Sequence, residues 1–283
     1  MSQLFARENV DIAWCSGCGN FGILKLIKEV LEELSVEKKN TVIVSGIGQA
    51  AKTPYYIDTN MFGVLHGRAL PVATALKLSN TNLTVIAEGG DGDMYGEGGN
   101  HLIHTIRRDV NIVHIVHNNM VYGLTKGQAS PTSQKGFVTG VQVNGVVNEP
   151  FNPLAVALSL QAGFVSRVNI GDISHAKEVL KKAFSHKGYA LIDILQPCVT
   201  FNKTNTYSWF KENSYKLDDS YDSSDFDLAL KKAFEFIPMP LGVLYQDTSR
   251  DNHFQKHILG ENPKALHSVQ HDIQKLQDLF NGY

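Results

Sequence analysis

LTVIAEGGDGDMYGEGGNHLIHTIRRDVNIVHIVHNN, residues 83–119, decides the fold. An apolar run ending at Ala87 delivers Asp91 into a turn between Gly90 and Gly92. Residues 99–108 then have helical spacing, and a second apolar run at 112–116 leads to Asn118 and Asn119. This is the pattern of a βαβ unit, whose right-handed crossover lays two parallel strands side by side with their C-terminal ends together. Ligands of open α/β sheets bind at that edge. There Asp91 offers a carboxylate, Asn119 an amide oxygen and Val121 a backbone carbonyl, a hard oxygen set that suits magnesium and leaves positions for phosphate oxygens. Gly90 and Gly92 allow close backbone approach, with turn amides facing an anion. Both GDG and NN are also common turn dipeptides. What favours a diphosphate-magnesium clamp is that spacing, flanking strands and intervening helix all agree.

Outward from this unit, short apolar runs recur at TVIVSGIG from residue 41 and YALIDILQP from residue 189, each bounded like a buried strand. Residues 21–34 place apolar side chains on one helical stripe just after WCSGCGN, and 153–162 and 174–186 also read as helices, the last opening on a Ser174 cap. Strands alternating with helices predict an α/β fold with a mainly parallel sheet and helices on both faces. The expected domain is 1–201. From residue 202 the mixed aromatic and polar character of NTYSWFKENSYKLDDSYDSSDFD predicts a C-terminal extension, 202–283, packed on the domain or on a partner. Within it, 226–236 reads as a helix, and the two prolines of IPMPLGVLYQ confine any strand to a start or an edge.

Composition narrows the class. With 26 Lys and Arg against 28 Asp and Glu, no overall field favours nucleic acid or an anionic membrane. No apolar stretch approaches the roughly 20 residues of a membrane span, and the start lacks the layout of a secretory signal, so the expectation is a cytoplasmic protein. Three cysteines, Cys15, Cys18 and Cys198, suit reduced thiols or metal ligation better than a disulfide framework.

The GDG-to-NN spacing resembles the thiamine-diphosphate signature. Together with WCSGCGNFGIL, SGIG, LHGRALPVATALKL, GEGGNHLIHTIRR, NNMVYGLTKGQASPTS, QPCVTFN and PLGVLYQ, in this order from about residue 12 to 245, it is similar to the β subunit of 2-oxoacid:ferredoxin oxidoreductases. The resemblance implies a thiamine-diphosphate-binding fold with magnesium held by Asp91, Asn119 and the Val121 carbonyl. It implies that His66, Gly67, Arg68, Gly90, Gly92, Asp93, Tyr122, Gly123, Leu124 and Thr125 seat the cofactor, and that residues 124–128 edge the reacting centre. Lys52 matches a lysine near the substrate carboxylate or coenzyme A, and His66 joins it as a catalytic candidate; a solvated surface lysine is the plain alternative for Lys52. The glutamate that acts on the aminopyrimidine is implied to come from a partner α subunit.

Cys15 and Cys18 have the two-residue spacing with which thiolates share a metal, and with Cys198 the resemblance implies a [4Fe-4S] cluster. The chain departs from the pattern at Gln49, where such proteins often carry a cysteine, and this leaves the fourth ligand open. Zinc or buried free thiols are the other readings. His101 and His104 lie one turn apart, but ordinary helix histidines account for them; His114 and His117 read as structural, His117 close enough to the Asn pair to tune it.

The expected reaction is therefore the coenzyme A-dependent oxidative decarboxylation of a 2-oxoacid (pyruvate, 2-oxoglutarate or a branched acid) by a heterodimer of α and β subunits, with ferredoxin as electron acceptor. A non-oxidative thiamine decarboxylase or carboligase would not need the cysteines. A non-enzymatic metal-binding docking module would leave the GDG-to-NN spacing without a role.

Overall fold

Five-residue and longer apolar runs with every position buried belong in the middle of a parallel sheet covered on both faces. The computed structural model describes residues 4–251, 253–261, 263–270 and 272–282. In chain order the elements are α1 (Gly19–Glu33), β1 (Thr41–Ser45), β2 (Asn60–Gly63), α2 (Ala69–Ser79), β3 (Thr84–Gly90), α3 (Gly99–Arg108), β4 (Val113–Asn118), α4 (Pro153–Ser159), β5 (Phe164–Asn169), α5 (Ile173–Ser185), β6 (Ala190–Leu195), α6 (Tyr207–Glu212), β7 (Ser214–Lys216), α7 (Phe226–Ala233), β8 (Met239–Gln246), α8 (His253–Leu259) and α9 (Ile273–Asn281).

The eight strands form one sheet in the order β2-β1-β3-β4-β6-β5-β8-β7. All pairings are parallel except β5 with β8. Alternate strand residues feed two cores, as the two-residue side-chain period requires. Ile43, Ile86, Ile115 and Ile192 face one way, onto α1 and α5. Val44, Val85, Val116 and Leu191 face the other, onto α2, α3 and α4. The buried leucines and isoleucines of α1 each contribute about 1.5–3 kcal/mol by leaving water.

The βαβ unit at 83–119 forms as its sequence predicts, with β3 and β4 parallel and Gly90 opposite His117. Two local readings change, and one strand has no sequence expectation. The cap of α5 is Asp172, whose carboxylate accepts from the His175 amide; Ser174 lies inside the helix. FVSRVN is a fully buried strand that its apolar content does not announce, because Ser166 and Arg167 interrupt it. The segment after 202 does more than wrap the domain, since β7 and β8 extend the same sheet. Pro240 sits at the second position of β8, near its start, and tiny β7 closes that edge.

Arg167 and Asp193 face each other in register on β5 and β6. The Arg167 Nε is 2.7 Å from Asp193 Oδ2, with Asp193 wholly buried. The other carboxylate oxygen accepts from the Tyr95 hydroxyl and the Asn118 amide, each at 3.0 Å. Replacing Asp193 by Ala strands a buried guanidinium, and we expect a loss of about 3–5 kcal/mol in denaturant unfolding. A loss under 1 kcal/mol would show that the pair is not a structural anchor.

His114, buried on β4 and hydrogen-bonded to the Tyr189 hydroxyl at 2.6 Å, has its pKa pushed down to about 3 by burial. The unfolded chain protonates this imidazole near 6.5. Its contribution to stability is therefore complete above that pH and is lost as pH falls toward 3, amounting to about 2 kcal/mol between pH 7 and pH 5. His114→Asn should shrink the wild-type pH 7-to-5 stability difference by that amount, as measured by urea unfolding at the two pH values.

Candidate active site

The site lies where strand order reverses: the chain leaves β1 toward β2 on one side and returns across it to β3 on the other, opening a crevice beyond the strand ends. One cavity there is lined by residues 47–50 after β1, His66, residues 90–93 after β3, Asn119 and residues 121–125 after β4. It thus gathers Asp91, Asn119 and Val121, together with Gly90, Gly92, Asp93, Tyr122, Gly123, Leu124 and Thr125. Gly67, Arg68 and Lys52 stand outside this lining.

Asp91 is buried and starts a π-helical turn, Gly92–Glu97, ahead of α3. Its Oδ2 accepts from the hydroxyls of Ser130 at 2.6 Å and Thr132 at 2.5 Å. Burial lifts its pKa to about 6; the two hydroxyls oppose that rise, and the Asp193 carboxylate adds to it. Asn119 Oδ1 accepts from the Val121 amide at 3.1 Å, a tight turn made possible by Met120 at φ 56°. This fold-back places the Val121 carbonyl two residues from the side chain it accompanies. Gly92 must be glycine because a Cβ would stand 2.1 Å from the Tyr122 ring.

Asp93 holds three loops together. Its Oδ1 accepts from the amides of Gly67 at 2.7 Å and Ile47 at 3.2 Å, and burial raises its pKa. Gly67, at φ +70°, has no room for a Cβ, which would meet the Glu97 carbonyl carbon at 2.3 Å. The His66 Nδ1 lies 3.1 Å from Asp93 Oδ1 and 3.3 Å from Glu97 Oε2, close enough for charge interaction but off the hydrogen-bond direction. Asp93 Oδ2 is buried without a donor. Arg68 donates to the backbone carbonyls of His66, Gly67 and Glu97, so it stiffens the turn. Lys52, half-buried just past Gln49, makes no ion pair among the described residues.

Neither Asp91 nor Asp93 has a Lys or Arg partner among the described residues. A divalent cation fits the first of these carboxylates: it would restore the charge that burial opposes, and the amide and carbonyl oxygens beside it are neutral hard donors.

A second cavity lies against the first. Cys15, Cys18 and Cys198 line it with Trp14, Asn20 and Gln49, and it shares Gln49, Asn119 and Gly123 with the first. Burial raises the Cys18 pKa, and the neighbouring Cys198 and Cys15 add to the rise. Among the described residues no group of three His, Cys, Asp or Glu side chains converges on one ion, His101 and His104 included. The three thiols therefore border a space and do not grip a point.

Sequence reasoning missed the support beneath these residues. Asn118 is not part of the lining; its amide binds Asp193 and its Oδ1 accepts from Thr132. His117 lies 2.8 Å from Glu88 Oε1 and 2.9 Å from Asn20 Oδ1, all three buried, and Gln196 also donates to Asn20. The available signal was charge inside buried strands: Glu88, Arg167 and Asp193 each interrupt an apolar run. A larger hollow, about 760 Å³, lies elsewhere, lined by the start of α5, by α6 and by β7.

The thiamine pyrophosphate enzyme C-terminal TPP binding domain matches residues 40–194, and the C-terminal family of the pyruvate ferredoxin oxidoreductase beta subunit matches 198–260. A 2-oxoacid:ferredoxin oxidoreductase subunit beta of a Sulfolobus species is 45% identical over 267 residues, covering 89% of this chain and 87% of the relative. Another, from Saccharolobus solfataricus, is 42% identical and covers 92% and 90%. The solved 2-oxoglutarate:ferredoxin oxidoreductase of Magnetococcus marinus, with 2-oxoglutarate, coenzyme A and succinyl-CoA bound, superposes with a TM-score of 0.88 at 33% identity over 97% of this chain and 94% of that one. On the strength of these matches, which span the crevice, both cavities and the strands beyond them, the chain belongs to the family of 2-oxoacid:ferredoxin oxidoreductase β subunits.

Proposed function

We propose that this chain is the cofactor-binding half of an α/β enzyme that converts a 2-oxoacid, coenzyme A and two oxidised ferredoxins into an acyl-coenzyme A, carbon dioxide, two reduced ferredoxins and a proton. The observation that carries the reading is the single cavity in which Asp91, Asn119 and Val121 meet, walled off from the cysteine cavity only by shared residues. Asp91, the Asn119 amide oxygen and the Val121 carbonyl would hold magnesium, which ties down a diphosphate. Bound thiamine diphosphate supplies a carbon nucleophile for the 2-oxo carbon and an electron sink once carbon dioxide leaves. Ser130 and Thr132 orient the Asp91 carboxylate, so its ionised form is ready for the cation. Asp93 fixes the His66-Gly67 turn and leaves one buried oxygen to receive a donor from the bound cofactor.

Cys15, Cys18 and Cys198 line the neighbouring cavity and would be the thiolates for an iron-sulfur cluster, which would supply a one-electron carrier to ferredoxin. Lys52, which makes no ion pair among the described residues, would meet the carboxylate of the 2-oxoacid or an anionic group of coenzyme A. Asp91 and Asp93 are the only carboxylates in the described lining, and the acid-base carboxylate of the reaction would come from the α subunit, as the family resemblance implies. Ile47 and Leu124, 44% and 42% exposed in the lining, and Leu65, 78% exposed next to His66 in the chain, would give that subunit apolar surface to cover. A cytoplasmic setting fits ferredoxin as acceptor and three unpaired thiols; no described helix is long and apolar enough to cross a membrane.

Two measurements check this. Asp91→Ala in the assembled complex should weaken magnesium-dependent thiamine diphosphate binding roughly 100-fold or more by calorimetry; undiminished affinity would remove the clamp. Anaerobic reduction of ferredoxin by the α/β complex, run across pyruvate, 2-oxoglutarate and branched 2-oxoacids, should require coenzyme A. Decarboxylation that proceeds without coenzyme A or an acceptor would make the enzyme non-oxidative.

A further inference from the structure

Between β4 and α4 the chain makes an excursion to which the cofactor chemistry gives no role. Residues 136–148, GFVTGVQVNGVVN, contain no charged side chain, and the Lys135–Glu149 ion pair at 2.6 Å closes their neck. The backbone of this loop is hydrogen-bonded within itself. The Gly136 amide donates to the Val146 carbonyl at 2.7 Å, the Val146 amide returns to the Phe137 carbonyl at 3.0 Å, and the Gly145 amide donates to the Gln142 carbonyl at 3.0 Å. Gly145, at φ +82°, lets the two arms touch, since a Cβ there would stand 2.9 Å from the Gly136 carbonyl oxygen.

On this frame Val138, Val141, Val143 and Val147 are 64%, 67%, 67% and 78% exposed. Single exposed valines are ordinary, but four on one hydrogen-bonded, uncharged loop make a contact surface for another protein. The position of the loop says which protein. A cavity of about 340 Å³ against it is lined by Gln142, Val146 and Val147 of the loop and by Tyr122, Ser130 and Ser133. Tyr122 also lines the diphosphate cavity. The segment that carries the loop is pinned to the clamp: Ser130 and Thr132 hold Asp91, Ser133 donates to the Met120 carbonyl at 2.6 Å, and the Gln142 side chain accepts from the Ala129 amide at 3.3 Å. The valines therefore stand at a fixed place beside the cofactor cavity. An uncharged apolar surface suits a permanent subunit, whereas an electron carrier that must come and go docks through charge.

We propose that residues 136–148 are a docking surface for the α subunit, which the exposed valines seat beside the cofactor cavity. The assignment rests on the two-subunit reading given above. It adds a second apolar patch, separate in the chain from Ile47, Leu65 and Leu124, and it leaves ferredoxin to reach the enzyme elsewhere.

The test uses the full chain co-expressed with its α subunit. The photo-reactive substitutions Val141→p-benzoylphenylalanine and Val143→p-benzoylphenylalanine should each join this chain to α on irradiation, with or without thiamine diphosphate. The double variant Val141→Asp/Val143→Asp should raise the dissociation constant for α at least about tenfold in sedimentation. Its circular dichroism should match that of the wild-type chain, and excess α should restore turnover toward the wild-type kcat. Val141→Ser/Val143→Ser removes apolar surface without adding charge, and it should weaken α binding about threefold or more even where aspartates disturb the loop.

Crosslinks that join two copies of this chain and none that reach α would make the loop a contact between copies and overturn the assignment. Unchanged affinity for α in both double variants would overturn it as well. An α/β complex that crosslinks as expected yet binds no thiamine diphosphate would remove the cofactor reading and leave the docking surface standing.

Discussion

The Asp193 carboxylate is the fixed point on which the site depends. It lies in the centre of the sheet with no exposure, and each oxygen is used: one by Arg167 across the strand pair, the other by Tyr95 and Asn118. A charge buried this deeply is tolerated only when paired and fully hydrogen-bonded, so β5 and β6 have one acceptable register. From there the constraint passes outward through side chains. Asn118, oriented by Asp193, and Asp91 both lie within reach of the single Thr132 hydroxyl hydrogen, which links them. A buried ion pair in the sheet thus aims the carboxylate at the sheet edge.

A second chain of polar groups runs parallel to the first and ends at the cysteines. Glu88 on β3 meets His117 on β4, and His117 meets Asn20 at the start of α1, two residues after Cys18. Asp91 and Asn119 follow these same two strands. The first cavity is consequently built on β3 and β4, and a polar chain from the same two strands ends beside the cysteine loop, so a shift of either strand would disturb both. For the proposed passage of electrons between the two cavities, tying both to β3 and β4 would keep their separation constant.

What is legible in the sequence is what has a local pattern. Residues 83–119 carry strand, turn, helix and strand in a spacing whose handedness is nearly obligatory, so the spacing alone brings Asp91 and Asn119 together. The helix at 99–108 matches the structure residue for residue. Asp193 and Arg167 are not legible, because a charge inside an apolar run does not say which distant strand will neutralise it. Ser130 and Thr132 escape for a similar reason: hydroxyls in a loop acquire meaning only when a carboxylate 39 or 41 positions away is placed against them. The strands after 202 are hidden by brevity, with β7 only three residues long, and by prolines in and before β8 whose missing amides matter little near a strand start. Gln49 stands out in the sequence as a departure from the family pattern, but only the folded chain puts it on the wall between two cavities.

Whether Asp91, Asn119 and the Val121 carbonyl hold a divalent cation bound to a diphosphate is tested most directly with Mn2+ in place of magnesium. The thiamine diphosphate-loaded α/β complex, with carbonyl-13C valine incorporated, is measured by pulsed electron paramagnetic resonance. Phosphorus couplings from the diphosphate and a carbon coupling from a directly bound carbonyl are predicted, the latter lost when Val121 is replaced by unlabelled Ile. Manganese that binds the complex with neither coupling would place the cation elsewhere and contradict the clamp.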